Sequence, residues 1–258
     1  MRILHIGDIV GRAGRNLLRT FVPQLKEELK LDIVAANVEN AANGFGITEA
    51  LYKDIVSYGV DLMSTGNHVF DVKNSENFID NFDMLTRPAN YPEGTAGKGY
   101  VTVEKNGVKF TLLNLMGRVF MPLSDCPFRK FDAIYPEIKD SFILVDFHAE
   151  ATSEKNAFGL YADGRAGAVC GTHTHVQTND DRIMPKGTLY ISDVGMCGGL
   201  DTVIGMSPNE PIERFLGALP RKFEVEKSGR MIFNAIFFEF GEGNVITDYS
   251  KISVISGE

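Results

Sequence analysis

The sequence predicts an α/β fold in which parallel and antiparallel strands are combined. Three observations carry that reading. Apolar, β-branched runs alternate with helix-spaced segments up to Thr65, hairpin signals appear near Asn106 and again towards the C-terminus, and no linker, repeat or low-complexity tract separates these parts.

Taken in order, Arg2 to Ile6 is a short apolar strand, followed by Gly7-Asp8 and a helix whose Leu17, Leu18, Phe21, Leu25 and Leu29 recur at three- and four-residue spacing. Pro23 inside that stretch predicts a kink or a split. Asp32 to Val38 reads as a strand, Thr48 to Tyr58 as a helix and Val60 to Thr65 as a strand again. A parallel sheet covered by helices follows, because each return to a parallel neighbour needs a crossover. Ser75 to Phe82 reads as a short acidic helix, and the two prolines of Arg87-Pro88-Ala89-Asn90-Tyr91-Pro92 mark an irregular connection. Gly99 to Glu104 and Val108 to Leu115 flank Lys105-Asn106-Gly107, the residue pattern of a tight hairpin. Ser141 to Phe147, Ala166 to Cys170 and Thr188 to Ser192 are further strands, with a helix around Ser153 to Tyr161. Met231 to Phe240 and Val245 to Ile255 form a closing hairpin around Gly241-Glu242-Gly243-Asn244.

With 258 residues, 44% hydrophobic and 23% charged, the chain is expected to form one domain, 1–258, around a substantial core. Its 26 basic and 34 acidic residues give a net charge of −8, which excludes a general attraction to nucleic acid or anionic membrane and leaves room only for a local cationic site. No signal-peptide pattern or long apolar run is present, and Cys126, Cys170 and Cys197 are too few for a disulfide framework. Free thiols and a cytoplasmic location are the expectation.

Candidate chemistry sits at strand ends. Five apolar runs lead directly to residues able to bind a metal: Asp8, Glu39-Asn40, Asn67-His68, His148, and His173 with His175. In open α/β sheets the carboxyl ends of the strands line the ligand crevice, so residues far apart in sequence converge there. Of the five histidines, only His5 lies elsewhere; it reads as a satisfied core histidine without a role. Taken alone, Asp8 reads better as a helix cap and Glu39-Asn40 as turn chemistry, while Asn67-His68 is evenly balanced. His173 and His175, two apart on an extended segment, face the same way and favour ligation.

Jointly, Gly7-Asp8-Ile9-Val10-Gly11, Glu39-Asn40, Gly66-Asn67-His68, His148 and Gly171-Thr172-His173-Thr174-His175 resemble the calcineurin-like metallophosphoesterases in order and spacing. Ala36-Asn37-Val38-Glu39-Asn40-Ala41, Gly66-Asn67-His68-Val69-Phe70-Asp71, Arg87-Pro88-Ala89-Asn90-Tyr91-Pro92 and Ser192-Asp193-Val194-Gly195-Met196 are similar to the bacterial YmdB-like phosphodiesterase branch. The resemblance implies a four-layer α/β/β/α sandwich of two mixed sheets. It also implies a dinuclear centre, with Asp8, Asn40 and His175 on one metal, Asn67, His148 and His173 on the other, and Glu39 bridging. Val10 stands where the wider superfamily offers a histidine, and Asn40 would replace that lost ligand. Imidazoles, carboxylates and amide oxygens without a thiolate suit iron or manganese, and zinc or cobalt less distinctively.

By the same resemblance His68 would be the general acid, with a hydroxide shared by both metals as the nucleophile. Asp71, three residues on, reads better as a solvated surface carboxylate than as a partner of His68. Gly195-Met196-Cys197-Gly198-Gly199 is expected to wall the site with Cys197 open to oxidation. Arg12, Arg15 and Arg87 could reach a phosphate, although solvated positions are the commoner explanation. The expected function is hydrolysis of a small phosphodiester, such as a 2′,3′-cyclic nucleotide, by a homo-oligomer with no membrane partner. A regulatory or RNA-associated binding protein, with a ligand-sensing metal centre and weak turnover, remains the alternative.

Overall fold

The computed structural model describes residues 1–257. The N-terminal part runs β1 (Arg2–Ile6), β2 (Asp8–Ile9), α1 (Gly11–Glu28), β3 (Ile33–Asn37), α2 (Glu49–Ser57) and β4 (Leu62–Ser64). The middle part runs β5 (Tyr100–Lys105), β6 (Val108–Met116), α3 (Pro127–Ile138), β7 (Phe142–His148), α4 (Thr152–Ala162) and β8 (Ala168–Thr172). The remainder is β9 (Arg182–Ile183), β10 (Leu189–Ile191), β11 (Met196–Gly199), α5 (Asn209–Gly217), β12 (Met231–Phe240) and β13 (Ile246–Ser256).

Two mixed sheets result. The first has the order β2-β11-β12-β1-β3-β4 with β13 added on β12, and the second the order β5-β6-β7-β8-β10-β9. The crossover rule accounts for the parallel pairs β1–β3–β4 and β6–β7–β8–β10, and the hairpins supply antiparallel β5–β6 and β12–β13. Alternation along the strands then separates the layers. Ile3, Ile33, Ala35 and Phe238 face Leu112, Phe142, Leu144 and Ile191 between the sheets, with Phe142 stacked on Phe240 at 3.9 Å between ring centroids. Leu4, Val34 and Ala36 point the other way, against Leu18 and Val22 of α1 and Ile55 of α2. Val145, Val169 and Tyr190 meet Phe131 of α3 and Phe158 of α4 on the far side. The layers are therefore helix, sheet, sheet, helix, as expected.

Several local readings are corrected. Pro23 neither splits α1 nor ends it: Pro23 and Arg19, whose carbonyl loses its helical donor, are both exposed, so water can satisfy that carbonyl. Ser75 to Phe82 forms two 3₁₀ turns, Ser75–Asn77 and Ile79–Asn81, in place of one helix. The segment after Gly195 is the buried strand β11, paired through Met196 with Asp8, so its glycines are sheet interior. Helices α3 and α5 go beyond the elements read from the sequence. Prolines at both ends of α3 and a short apolar face on α5 weaken their periodicity.

Candidate metal centre

The carboxyl ends of both sheets deliver the predicted residues to one place. Asp8 leaves β1 through β2, Glu39 and Asn40 follow β3, Asn67 and His68 follow β4, His148 closes β7, and His173 and His175 follow β8. A continuous chain of contacts joins all seven predicted ligands. His148 Nε2 lies 3.0 Å from Glu39 Oε1, 3.1 Å from Asn67 Oδ1 and 3.1 Å from His173 Nδ1. The His173 backbone N–H donates to Asp8 Oδ2 at 3.1 Å, Asp8 Oδ1 is 3.9 Å from His175 Nε2, and Asn40 Nδ2 is 2.9 Å from that same nitrogen. Donor atoms of Glu39, His148 and His173 all lie within 4.8 Å of one another.

Local backbone makes this possible. His173 and His175 do not sit on an extended segment: both have positive φ, 103° and 66°, so the chain coils and their side chains reach different neighbours. At Gly66, an added Cβ would collide with Glu39 Oε2 and His148 Nε2, so only glycine admits the two donors there. Asp8 does not cap α1, whose N-cap is Val10 with no side-chain bond.

The electrostatics are those of a cation site. Asp8 and His148 are fully buried and Glu39 is 1% exposed. Burial pushes the Asp8 carboxyl up to about 7. For Glu39 burial works in the same direction, but the neighbouring His148 overrides it and holds the carboxyl at about 2. Burial opposes a charge on His148, and Glu39 outweighs it, raising the imidazole to about 9. Burial and the His148 charge push His173 down to about 3. Asp8 Oδ1 is buried with no hydrogen-bond partner, a costly arrangement that a cation between Asp8 and His175 would relieve. The residues present thus fit divalent metal ions, and the amide of Asn40 would need to turn to offer its oxygen.

A pH dependence follows. The imidazole of His148, beside Glu39 and within reach of the Asp8 and Asp146 charges, carries a proton at neutral pH, and a metal ligand must be deprotonated. Metal uptake is therefore expected to release about one proton or more per chain at pH 7 and to tighten as pH rises towards 9. Calorimetric titration in two buffers of different ionisation enthalpy reads the released protons directly; equal heats in both buffers would contradict the arrangement.

Residues not singled out by the sequence hold the donors in place. His148 Nδ1 lies 2.9 Å from Thr172 Oγ1, which donates at 2.6 Å to the buried Asp146; Asn37 at 3.0 Å and Ser64 also donate to Asp146. Lys155, 2% exposed, donates to Thr172 O and Asp193 Oδ2, both at 2.8 Å, and Asp193 in turn accepts from the Thr174 N–H. His173 Nε2 is 3.3 Å from Glu150. Asp71 is not merely solvated: its Oδ2 lies 2.7 Å from His68 Nδ1. His5 is buried but not satisfied, since both ring nitrogens lack a partner and Asp146 stands 3.9 Å away. Arg15 donates to Ala41 O and Arg87 to the carbonyls of Pro88, Thr95 and Ala96, so both brace backbone. Asn90 of the same motif pins the end of β6 through Met116. Cys197 is buried beneath the site, and burial pushes its thiol up, away from the reactive thiolate.

The family described as YmdB-like protein matches residues 4–252. The chain belongs to the YmdB-like family. A relative from Bacillus subtilis (strain 168), named 2′,3′-cyclic-nucleotide 2′-phosphodiesterase, is 51% identical over 227 residues, covering 87% of this chain and 86% of its own. A crystal structure titled as a novel phosphatase from Mycoplasma pneumoniae shares 35% identity at a TM-score of 0.94, over 99% of this chain and 93% of that one. The NAD nucleotidase of Haemophilus influenzae, 13% identical with a TM-score of 0.62 over 99% of this chain and 56% of its own, shares the fold alone. The YmdB-like resemblance and the metallophosphoesterase fold are thus borne out.

Proposed function

We propose that the chain is a metal-dependent phosphodiesterase that opens 2′,3′-cyclic nucleotides, with two divalent ions, iron or manganese, held by Asp8, Glu39, Asn40, Asn67, His148, His173 and His175. The observation that carries this reading is the convergence of those donors at the ends of both sheets, with Asp8 Oδ1 left without a protein partner. The absence of a thiolate among them favours iron or manganese, and the name of the Bacillus relative favours the cyclic diester. When bound, such ions polarise the phosphate and activate water.

The remaining work falls to the chain. His68 is half-buried beside Asn67, and its backbone N–H donates to Glu39 Oε2 at 3.1 Å, which fixes the ring's root against the ligand set. Asp71 holds Nδ1, so the other ring nitrogen is left to hand a proton to the departing oxygen. His68→Ala is expected to lower turnover of a cyclic nucleotide roughly 10²–10⁴-fold while metal content stays unchanged. A p-nitrophenyl diester, whose leaving group departs without a proton, should lose far less. Assaying both substrates with metal analysis of the same samples checks this; undiminished cyclic-nucleotide hydrolysis would remove His68 from the role.

A further inference from the structure

The chain is acidic overall, yet one cleft beside the metal centre gathers positive charge. It is an open groove of about 660 Å³ lined by Arg214, Arg221, Lys222 and Lys227 with the carboxylate of Glu224, and by Phe45 and Phe223 as aromatic walls. Arg221 pairs with Glu213 at 3.0 Å, and Arg214 lies 5.4 Å above the Phe223 ring. Lys222 and Lys227 have no ion-pair partner among the described residues. One wall is α5 and the segment after it; the other is the loop that leaves Asn40 and carries Phe45. Val225 seats the first wall on the site: it packs so tightly on Gly11 that a Cβ there would meet its side chain at 2.7 Å. Phe45 meets the His68 ring edge-on, 4.9 Å between centroids.

We propose that this cleft binds the ribonucleotides on the 5′ side of a 2′,3′-cyclic phosphate, so that the preferred substrate is the cyclic-phosphate end of an RNA fragment. The proposal rests on the phosphodiesterase reading above. In that reaction a water oxygen bonds to phosphorus, the P–O2′ bond breaks, and O2′ takes a proton from His68. The products are a 3′-phosphomonoester and a free 2′-hydroxyl, and the proton given up by water restores the acid. The departing oxygen belongs to the ribose, so the nucleoside lies on the His68 side of the centre. Beyond His68 comes Phe45, and beyond Phe45 the cleft.

A cyclic mononucleotide carries no phosphate other than the reacting one, which leaves Lys222 and Lys227 without an anionic ligand. Each added 5′ nucleotide supplies one phosphate for them and one base for the aromatic walls, the combination used to bind single strands. The volume suits a ligand of nucleotide size. Cyclic 2′,3′-phosphates form when an RNA chain is cut by attack of its own 2′-hydroxyl, so RNA cleavage by transesterification is the class of reaction that supplies this substrate.

The test compares kcat/KM of the metal-loaded enzyme for a 2′,3′-cyclic mononucleotide and for a ribotrinucleotide ending in the same cyclic phosphate. The trinucleotide is expected to be better by about tenfold or more at low salt, with the gap closing as salt rises. In the double variant Lys222→Ala/Lys227→Ala the ratio should fall towards one. A ratio of one in the unaltered enzyme, or a ratio the double variant leaves intact, overturns the proposal. If neither substrate turns over, the phosphodiesterase reading itself fails. Binding of a fluorescein-labelled ribotrinucleotide 3′-phosphate then decides the cleft alone: salt-sensitive binding lost in the double variant supports it, and any other result overturns it.

Discussion

Glu39→Gln is expected to abolish measurable phosphodiester hydrolysis and to lower the metal content of the isolated protein. The substitution preserves shape and removes one charge, which makes the result easy to interpret. Glu39 is 1% exposed, and it meets His148 Nε2 through one oxygen and the His68 N–H through the other. An amide can imitate one of those contacts at a time and cannot supply the negative charge that a pair of cations requires. Gly66 leaves no space for a compensating water or a rotated side chain, because even a methyl group would collide with Glu39 and His148. Loss of turnover should exceed the roughly 10–100-fold that follows from disturbing groups behind metal ligands. Activity on an aryl phosphodiester and metal counted by mass spectrometry settle it together. Full metal content with full turnover would take Glu39 out of the centre.

The second large effect is expected at Lys155, which touches none of the reacting groups. Lys155→Met leaves Asp193, 1% exposed, as a buried charge without its cation. Breaking one side of such a pair costs about 3–5 kcal/mol, or roughly 10 °C in Tm for a chain of this size. The same change frees Thr172 O and loosens the turn that holds His173 and His175 at positive φ, so metal affinity should fall as well. Lys155→Met/Asp193→Asn separates the two consequences: it removes the stranded charge and should recover part of the Tm, while the histidine turn stays slack and metal affinity stays low. Thermal unfolding of the metal-free protein and metal titration of each variant provide both readings. Wild-type metal affinity in Lys155→Met would show that the turn holds itself.

Much of the candidate site is legible in the sequence, and for a definite reason. Strand ends can be read from local apolar runs, and residues such as Asn67-His68 and Gly171-Thr172-His173-Thr174-His175 follow those runs directly. What lay hidden was every relation between distant loops. Sequence separations of 81 from Asn67 to His148, and of 38 from Lys155 to Asp193, carry no signal of contact. Asp71 reads as an ordinary surface carboxylate because proximity in sequence does not say where a side chain turns, whereas in the fold it holds His68. His5 looked like a satisfied core residue because an apolar run signals burial and not hydrogen bonding. The sequence reads the histidine turn as extended because positive φ outside glycine is set by the contacts that force it.

By itself, the sequence pointed to candidate donors at strand ends, and through the family resemblance to their gathering at one end of two mixed sheets. Tertiary structure decided the rest: the left-handed turn at His173 and His175, the Lys155–Asp193 clamp behind it, and the cationic cleft formed when residues after α5 close against the loop carrying Phe45. The division has a physical origin. Strands and helices follow from periodic burial within a few residues, whereas loop conformation and charge clustering are fixed only when the sheets stack and bring distant segments into contact.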